Sequence, residues 1–204
     1  MSMPSFGLAL VGSYLIGSIP SAYLLVKWLT GTDVREVGSG NVGATNVTRV
    51  AGFQAGLVVF IADLVKGWVA VRGLAPWLVT PLAPATQLAC GLAAVLGHLF
   101  PVWLQFRGGK GVATTIGVLV GAMPAVAVVW LVVWVLVFFP SRTVSLASLA
   151  AAVTIPITQL LTHRSRSEVL LGAILAVLIM MRHRANIARL LQGTEHRFGA
   201  RRER

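Results

Sequence analysis

The chain has 204 residues, of which 56% are hydrophobic and only 11% are charged. A soluble domain normally carries about 25% charged residues, so the composition excludes an ordinary soluble protein. The formal net charge of +11 would suit a nucleic-acid-binding protein, but no nucleic-acid-reading motif accompanies it. Long uncharged runs predict instead an all-α, polytopic membrane protein, since about 20 apolar residues in a helix cross the hydrocarbon core.

Seven membrane spans are predicted in chain order. They cover residues 5–28, 52–71, 84–104, 111–123, 125–140, 144–162 and 167–182. The run Val112–Ser141 is divided at Pro124 because a single helix of that length would measure about 45 Å, whereas the hydrocarbon core is about 30 Å thick. The N-terminal run has no basic start and no small-residue cleavage site, which favours a first spanning helix over a signal peptide.

The charges predict the orientation of the chain in the membrane. With a turn at Pro124, thirteen Lys and Arg residues lie on one face and three on the other. The positive-inside rule makes the richer face cytoplasmic, so the N-terminus is expected outside and the C-terminus inside. A six-span alternative would place Arg142 on the outer face. We expect one integral-membrane domain over residues 1–204, with residues 182–204 as a basic cytoplasmic tail.

The first polar segment of interest is GSGNVGATNVTR, residues 38–49, between the first two spans. Glycines allow positive φ, so that successive backbone N–H groups can point at an anion. Ser and Asn side chains add uncharged donors, and Arg49 adds a fork that suits phosphate. The segment is a candidate anion site, although a flexible polar turn is an alternative. Its candidate residues are Ser39, Gly40, Asn41, Asn46 and Arg49.

A carboxylate, a lysine and a histidine lie inside the second and third predicted spans. Asp63 and Lys66 are three residues apart in the second span and share one helix face. His98 lies near the end of the third span and is expected to face the protein interior. Intramembrane ionisable groups often mark functional sites, so all three are candidates. A structural ion pair and a structural hydrogen bond are the respective alternatives.

The segment FRGGKGVATT, residues 106–115, resembles a nucleotide-binding loop without matching one. A Walker A loop has glycine five residues before its GK pair and Ser or Thr after it; here those positions hold Leu104 and Gly111. Nucleotide hydrolysis is therefore disfavoured. The segment opens the next helix, whose N-terminus attracts anions, and it predicts a phosphate site. The candidate residues are Gly108, Gly109, Lys110 and Gly111.

Two further segments follow. SRTVSLAS, residues 141–148, offers Ser145 and Ser148 near a helix start, where N-capping would explain one hydroxyl. MRHRANIARLLQGTEHRFG, residues 181–199, fits a basic amphipathic helix at the membrane interface, which explains the arginines but not His183 and Asn186. The four histidines have no metal-ligand spacing, and we expect no metal.

Together GSGNVGATNVTR, GHLFPVWLQFRGGKGVATT and RHRANIARLLQGTEHRFG resemble the motifs of the bacterial acyl-phosphate glycerol-3-phosphate acyltransferases, the PlsY family. The resemblance covers nearly the whole chain. It implies a seven-helix enzyme of the inner membrane with its active site on the cytoplasmic side. Such an enzyme transfers a fatty acyl group from acyl phosphate to the primary hydroxyl of glycerol 3-phosphate. The products are 1-acylglycerol 3-phosphate (lysophosphatidic acid) and inorganic phosphate, in the first acylation of phospholipid synthesis, and no cofactor is implied.

The resemblance also implies roles for individual residues. The glycine-rich second motif, Gly108–Gly111, matches the part that binds the phosphate of glycerol 3-phosphate, and Glu195 matches a structural glutamate. Many members have proline where this chain has Val42, which is expected to alter loop stiffness only. The residues expected to be catalytic are Ser39, Arg49, Lys110, His183 and Asn186.

An acyl phosphate is a mixed anhydride with a good leaving group, so positioning and charge neutralisation can supply most of the catalysis. We expect Ser39, Gly40 and Asn41 to hold the acyl-phosphate head. Arg49, Lys110, His183 and Asn186 are expected to hold glycerol 3-phosphate, with a substrate phosphate or His183 accepting the hydroxyl proton. The expected partners are membrane lipid and the enzyme that makes acyl phosphate from acyl-carrier protein. A phosphate carrier and a membrane scaffold are the alternatives.

Overall fold

A computed structural model describes residues 3–199, and every regular element in that range is helical. The α-helices are α1 (Met3–Ser18), α2 (Ser21–Thr30), α3 (Ala44–Val69), α4 (Ala75–Leu78), α5 (Pro84–Leu99), α6 (Val112–Ala122), α7 (Pro124–Ser141), α8 (Val144–Leu161), α9 (Arg166–Arg182) and α10 (Arg184–Leu191). A π-helical stretch, Ala70–Leu74, joins α3 to α4, and a 3₁₀ turn, Val102–Leu104, follows α5. The all-α prediction is confirmed. The last part of the predicted basic tail, 200–204, lies outside the described residues.

Helices occupy all seven predicted spans. Within residues 3–199, four helical segments are long and apolar enough to cross a membrane, and they are Pro4–Thr30, Pro84–Leu104, Pro124–Ser141 and Val144–Leu161. A fifth results if α9 and α10, which are bent by 61°, count as one span. Of the remaining two predicted spans, 52–71 lies along α3 and 111–123 contains α6, a shorter apolar helix of 11 residues.

Three breaks interrupt the helices. The predicted break at Pro124 is confirmed, because Met123 has φ −143° and separates α6 from α7. A break at Pro20, which the sequence analysis did not predict, divides the first predicted span into α1 and α2. Proline has no N–H and disfavours the helical conformation of the residue before it. Inside α3, Gly52 has φ 87°, so residues 44–51 form a separate helical piece before the longer part of α3.

The chain divides into two compact units, the first from Met1 to Ala122 and the second from Met123 to Arg204. In the first unit, α1 packs against α5 and α3 packs against α6. In the second unit, α8 packs against both α7 and α9. The candidate residues are therefore distributed over two separately packed parts of the chain.

Glycines allow α3 and α6 to approach at backbone distance. A Cβ atom at Gly67 would collide with the carbonyl oxygen of Thr114, and one at Gly117 would collide with the carbonyl oxygen of Leu64. Helices in membranes associate mainly by van der Waals packing, and small residues at the interface make that packing close. This contact fixes α6, whose N-terminus follows the glycine-rich segment.

Gly117→Ala is expected to destabilise the first unit by about 1–3 kcal/mol, the usual cost of overpacking. The added methyl group would meet the carbonyl oxygen of Leu64, which can move only with α3. Thermal unfolding of the purified protein in detergent measures the effect. Gly7→Ala is the matched control, since nothing lies within 4 Å of a Cβ atom at that position in α1. Equal unfolding temperatures for the two variants would contradict the close contact of α3 with α6.

Candidate active site

The loop between α2 and α3 (residues 31–43, the first loop) is organised by Asn46. The Oδ1 atom of Asn46 accepts a hydrogen bond from the N–H of Ser39 (2.7 Å), and its Nδ2 donates to the carbonyl oxygens of Val34 (3.2 Å) and Val37 (3.1 Å). The side chain is only 2% exposed. Its polar atoms serve the loop itself, which differs from the predicted role of Asn46 in binding phosphate. We conclude that Asn46 positions Ser39.

The first loop presents Ser39 at the surface. Gly38 and Gly40 on either side have φ of 63° and 68°, a conformation that L side chains rarely adopt. Ser39 is exposed between them, Asn41 is half-buried, and the side chain of Arg49 is exposed on the helical piece that follows. A hydroxyl, an amide and a guanidinium group thus lie along one short stretch of chain.

Asp33 in the first loop is neutralised by Arg35. The Nη2 atom of Arg35 donates to Oδ2 of Asp33 at 2.6 Å, and the backbone N–H of Arg35 donates to Oδ1 at 2.9 Å. The side-chain hydrogen bond from Arg35 is the main reason why the pKa of Asp33 is lowered from its ordinary value. An anionic ligand at Asp33 would therefore meet an ion pair, while Glu36, the other carboxylate of the loop, is exposed.

The segment between the 3₁₀ turn and α6 (residues 105–111, the glycine loop) folds back onto the end of α5. The N–H of Gly108 donates to the carbonyl oxygen of Leu99 and that of Gly109 to the carbonyl oxygen of His98, both at 3.1 Å. These two N–H groups were expected to face an anion. They donate instead to carbonyl oxygens in the last turn of α5, which have no hydrogen-bond partner within that helix. Both glycines are buried, and a Cβ atom at Gly108 would collide with the His98 carbonyl oxygen.

The glycine loop ends at Lys110 and Gly111, where α6 begins. Lys110 is half-buried and Gly111, with φ 80°, turns the chain into the helix. The first N–H groups of a helix have no partner within it and carry the positive end of its dipole. Lys110 and the positive end of the α6 dipole therefore lie at the same end of this loop, and Gly108 and Gly109 let the loop fold onto α5.

Asp63, Lys66 and His98 meet in a buried group, which we call the charge cluster. The Nζ atom of Lys66 lies 2.8 Å from Oδ1 of Asp63, and Nδ1 of His98 lies 3.7 Å from the same oxygen. Lys66 also donates to the carbonyl oxygen of Ile19 (3.1 Å), at the break between α1 and α2. The three side chains are at most 7% exposed. The expected contact of Asp63 with Lys66 is present, and His98 joins it from another helix.

A small cavity adjoins the charge cluster, with an empty volume of about 190 Å³ that includes open solvent. Its lining contains all three cluster residues together with Ser18 and Val42. The lining thus includes Val42 of the first loop and His98, whose carbonyl oxygen accepts the N–H of Gly109, but none of the anion-binding donors predicted in the two loops.

In the second unit, Glu195 accepts hydrogen bonds from polar side chains of α8 and α10. Its Oε1 atom accepts hydrogen bonds from Ser145 Oγ (2.7 Å) and Asn186 Nδ2 (2.6 Å), and its Oε2 atom accepts one from Arg189 Nε (2.7 Å). Ser145 and Asn186 are 4% and 6% exposed. The arrangement supports the expected structural role of Glu195. Arg189 was not predicted at this position, although it lies three residues after Asn186 and so shares its helix face.

His183 and Ser148 have defined partners in the second unit. The Nδ1 atom of His183 lies 2.8 Å from the carbonyl oxygen of Ile179. A carbonyl can only accept, so Nδ1 carries hydrogen, and Nε2 is an acceptor whenever the ring is neutral. Ser148 Oγ donates to the carbonyl oxygen of Val144 (2.8 Å) and accepts from Trp134 Nε1 (3.2 Å). Its hydroxyl thus joins α7 to α8, which differs from the predicted role in phosphate binding.

The Glu195 contacts should make the stability of the second unit depend on pH. Burial alone would raise the pKa of Glu195, but hydrogen bonds from Asn186, Ser145 and Arg189 lower it below its ordinary value. A lowered folded pKa means that the stabilisation is complete above the ordinary carboxyl pKa of about 4.3 and is lost as the pH falls through the folded value. The difference in unfolding temperature between wild type and Glu195→Gln should therefore shrink between pH 7 and pH 3. A constant difference would contradict the ionised network.

Comparison with known proteins gives consistent matches over nearly the whole chain. The family model described as "Glycerol-3-phosphate acyltransferase" matches residues 7–193. A protein of that name from Myxococcus xanthus (strain DK1622) is 52% identical over 191 residues, which are 94% of this chain and 98% of the relative. Another, from Mesorhizobium japonicum, is 45% identical and covers 95% of this chain and 96% of its own.

Solved structures give the same result. A crystal structure of PlsY, an integral membrane glycerol 3-phosphate acyltransferase, in its glycerol 3-phosphate form matches with a TM-score of 0.89 and 40% sequence identity. The lysophosphatidic acid form matches with a TM-score of 0.86 and 38% identity. In both cases the match covers 96% of this chain and 96% of the other.

Proposed function

The chain belongs to the glycerol-3-phosphate acyltransferase family, as an integral membrane protein of the PlsY type, and from this premise we propose that its acyl donor is an acyl phosphate. The products are then 1-acylglycerol 3-phosphate and inorganic phosphate. The primary hydroxyl oxygen of glycerol 3-phosphate forms the new ester bond to the acyl carbon. The bond from that carbon to the phosphate oxygen breaks, and the hydroxyl proton leaves with the released phosphate.

The observation that carries this proposal is the distribution of charge around the candidate residues. The first unit has a cation near each loop, Arg49 in the helical piece after the first loop and Lys110 in the glycine loop, and both are close in sequence to hydroxyl, amide and N–H donors. Of the three carboxylates in residues 1–122, two are neutralised within the protein, Asp33 by Arg35 and Asp63 by Lys66. A site rich in donors and poor in acids suits two phosphate-bearing substrates, because such donors stabilise negative charge before and during the reaction.

We assign the residues as follows. Ser39, Gly40 and Asn41 hold the head of the acyl phosphate, and Arg49 and Lys110 hold the phosphate of glycerol 3-phosphate. In the second unit, His183 and Asn186 contribute to the acceptor's binding, with Asn186 oriented by Glu195. The acyl-enzyme step that a serine nucleophile would need is absent from this scheme, since phosphate is already a good leaving group. A phosphate oxygen of the substrate accepts the proton, and Nε2 of His183 is the alternative acceptor.

The cellular setting is part of the proposal. We place the chain in the bacterial inner membrane with both loops and the basic C-terminal segment on the cytoplasmic side, as the positive-inside rule predicts. We treat residues 1–204 as one functional domain. An enzyme that converts acyl-carrier-protein thioesters to acyl phosphates would supply the donor. The acyl chain remains in the bilayer, and the reaction requires no nucleotide or metal.

A comparison of two acyl donors, supplied separately, tests the proposal. Purified protein in lipid receives labelled glycerol 3-phosphate with either palmitoyl phosphate or palmitoyl-CoA, without added nucleotide or metal. Labelled lysophosphatidic acid from the acyl phosphate alone is the expected result. Product from the CoA thioester alone would overturn the choice of donor while leaving the family assignment intact. Absence of product, with labelled substrate crossing sealed vesicles, would indicate a carrier.

A further inference from the structure

We propose that Asp63, Lys66 and His98 are positioning residues that hold the glycine loop and thereby set the affinity for glycerol 3-phosphate. The inference rests on the proposed function of that loop in binding the substrate phosphate. It gives a role to three ionisable side chains that the reaction itself does not use.

The first step of the argument is the contact between His98 and Gly109. The His98 carbonyl oxygen accepts the N–H of Gly109 at 3.1 Å. The imidazole lies against the same residue, so that a Cβ atom at Gly109 would collide with Nε2 of His98. His98 thus holds Gly109 through both its backbone and its side chain. Lys110 is the next residue, and any shift of Gly109 moves it directly.

The second step is the support behind the imidazole. Asp63 lies on the Nδ1 side of His98, and Lys66 neutralises Asp63 from the same helix. Lys66 also bonds the carbonyl oxygen of Ile19, where Pro20 interrupts the first span. The charge cluster therefore ties the α1–α2 break, α3 and α5 together directly behind the glycine loop.

The third step is the cost of the cluster. Charged groups inside a membrane span are expensive, and a buried ion pair often gives no more stability than apolar residues of similar size. Stability alone is thus a weak reason for placing three ionisable groups here. Fixing the direction of Lys110 is a sufficient one, because a displaced ammonium group would lose its charge-assisted hydrogen bonds to the substrate phosphate.

The contact between His98 and Gly109 can be tested with single and double variants whose KM for glycerol 3-phosphate is measured. Gly109→Ala should raise KM about tenfold or more, with kcat changed less than about twofold, because binding that is equal in ground and transition states affects KM alone. Adding His98→Ala should bring KM back toward the value of His98→Ala alone, since the truncated side chain removes the collision. If the double variant keeps the full defect of Gly109→Ala, His98 does not hold the loop and the proposal is wrong.

Gly108→Ala is the matched control. Its Cβ atom would meet the carbonyl oxygen of His98, which truncation of the side chain leaves in place. His98→Ala should therefore fail to relieve Gly108→Ala, and relief of both glycine variants alike would indicate a general loosening rather than a specific contact. His163→Ala, at an exposed histidine of the second unit, should leave KM unchanged.

The ion pair is tested by the neutral double variant Asp63→Asn/Lys66→Gln, which leaves no buried charge unpaired. We expect KM for glycerol 3-phosphate to rise about tenfold at nearly constant kcat. If the double variant is folded and has the KM of the wild type, the ion pair does not help to hold the glycine loop. All KM values are measured with whichever acyl donor supports turnover by the wild type, so a wrong choice of donor does not obscure the result.

Discussion

Replacing Lys110 with methionine is expected to lower kcat/KM for glycerol 3-phosphate by about 10²- to 10³-fold, the usual loss when one donor to a charged reacting group is removed. Lys110 directly follows Gly109 in the glycine loop, where the N–H groups of Gly108 and Gly109 are paired with α5. Methionine keeps the length and apolar stem of lysine, so the loop should still fold. The measurement is the initial rate of lysophosphatidic acid formation at several concentrations of glycerol 3-phosphate.

Lys27→Met is the control for Lys110→Met. Lys27 is an exposed lysine of the same unit that bonds only a nearby carbonyl, that of Gly31 at 2.8 Å, among the hydrogen bonds described for it. Its replacement removes the same charge from the chain and should leave kcat/KM within about twofold of wild type, as for most surface substitutions. Similar losses in both variants would indicate that overall charge, rather than Lys110 itself, attracts the substrate.

Asn186→Asp should be the most damaging single-atom change in the second unit. It places a carboxylate where the amide now donates to Glu195 at 2.6 Å, in surroundings where Asn186 is 6% exposed. Two adjacent carboxylates cannot both remain ionised there, and the lost hydrogen bond leaves a buried group unsatisfied at a cost of about 1–3 kcal/mol. Turnover should fall about 100-fold as the site is displaced.

The second-site change Glu195→Gln should rescue the stability of Asn186→Asp. The glutamine amide can donate to the new carboxylate, so the hydrogen bond is restored with donor and acceptor exchanged. For the double variant we expect the unfolding temperature to recover while most of the turnover stays lost, because the amide of Asn186 also contributes to binding of the acceptor. Recovery of turnover as well would mean that Asn186 acts only through Glu195, and a double variant no more stable than Asn186→Asp would exclude the pairing with Glu195.

Local features of the fold could be predicted from the sequence. The apolar runs predicted the helices, and Pro124 predicted the break between α6 and α7. Both features depend only on residues that are adjacent in the sequence. The three-residue spacing of Asp63 and Lys66 predicted a shared face, and the two are in contact at 2.8 Å. The break at Pro20 follows from the same proline rule, but the sequence analysis assigned one continuous span there.

Contacts between distant segments could not be predicted in the same way. The N–H groups of Gly108 and Gly109 looked available for an anion because a sequence does not show that the loop returns to α5. The hydroxyl of Ser148 and the amide of Asn46 were likewise expected to meet substrate, whereas packing places their partners within the protein. Ser145 and Glu195 are 50 residues apart, and only the folded second unit reveals that one carboxylate organises both Ser145 and Asn186.

Glu195 lies beyond the last helix of the described residues, in a segment that is fastened by a hydrogen bond from the N–H of Phe198 to the carbonyl oxygen of Arg142. Ser145 in α8 and Asn186 in α10 therefore share an acceptor that is supplied by a stretch of chain without helical structure of its own. The two side chains acquire their common orientation only once this stretch has folded back onto both helices.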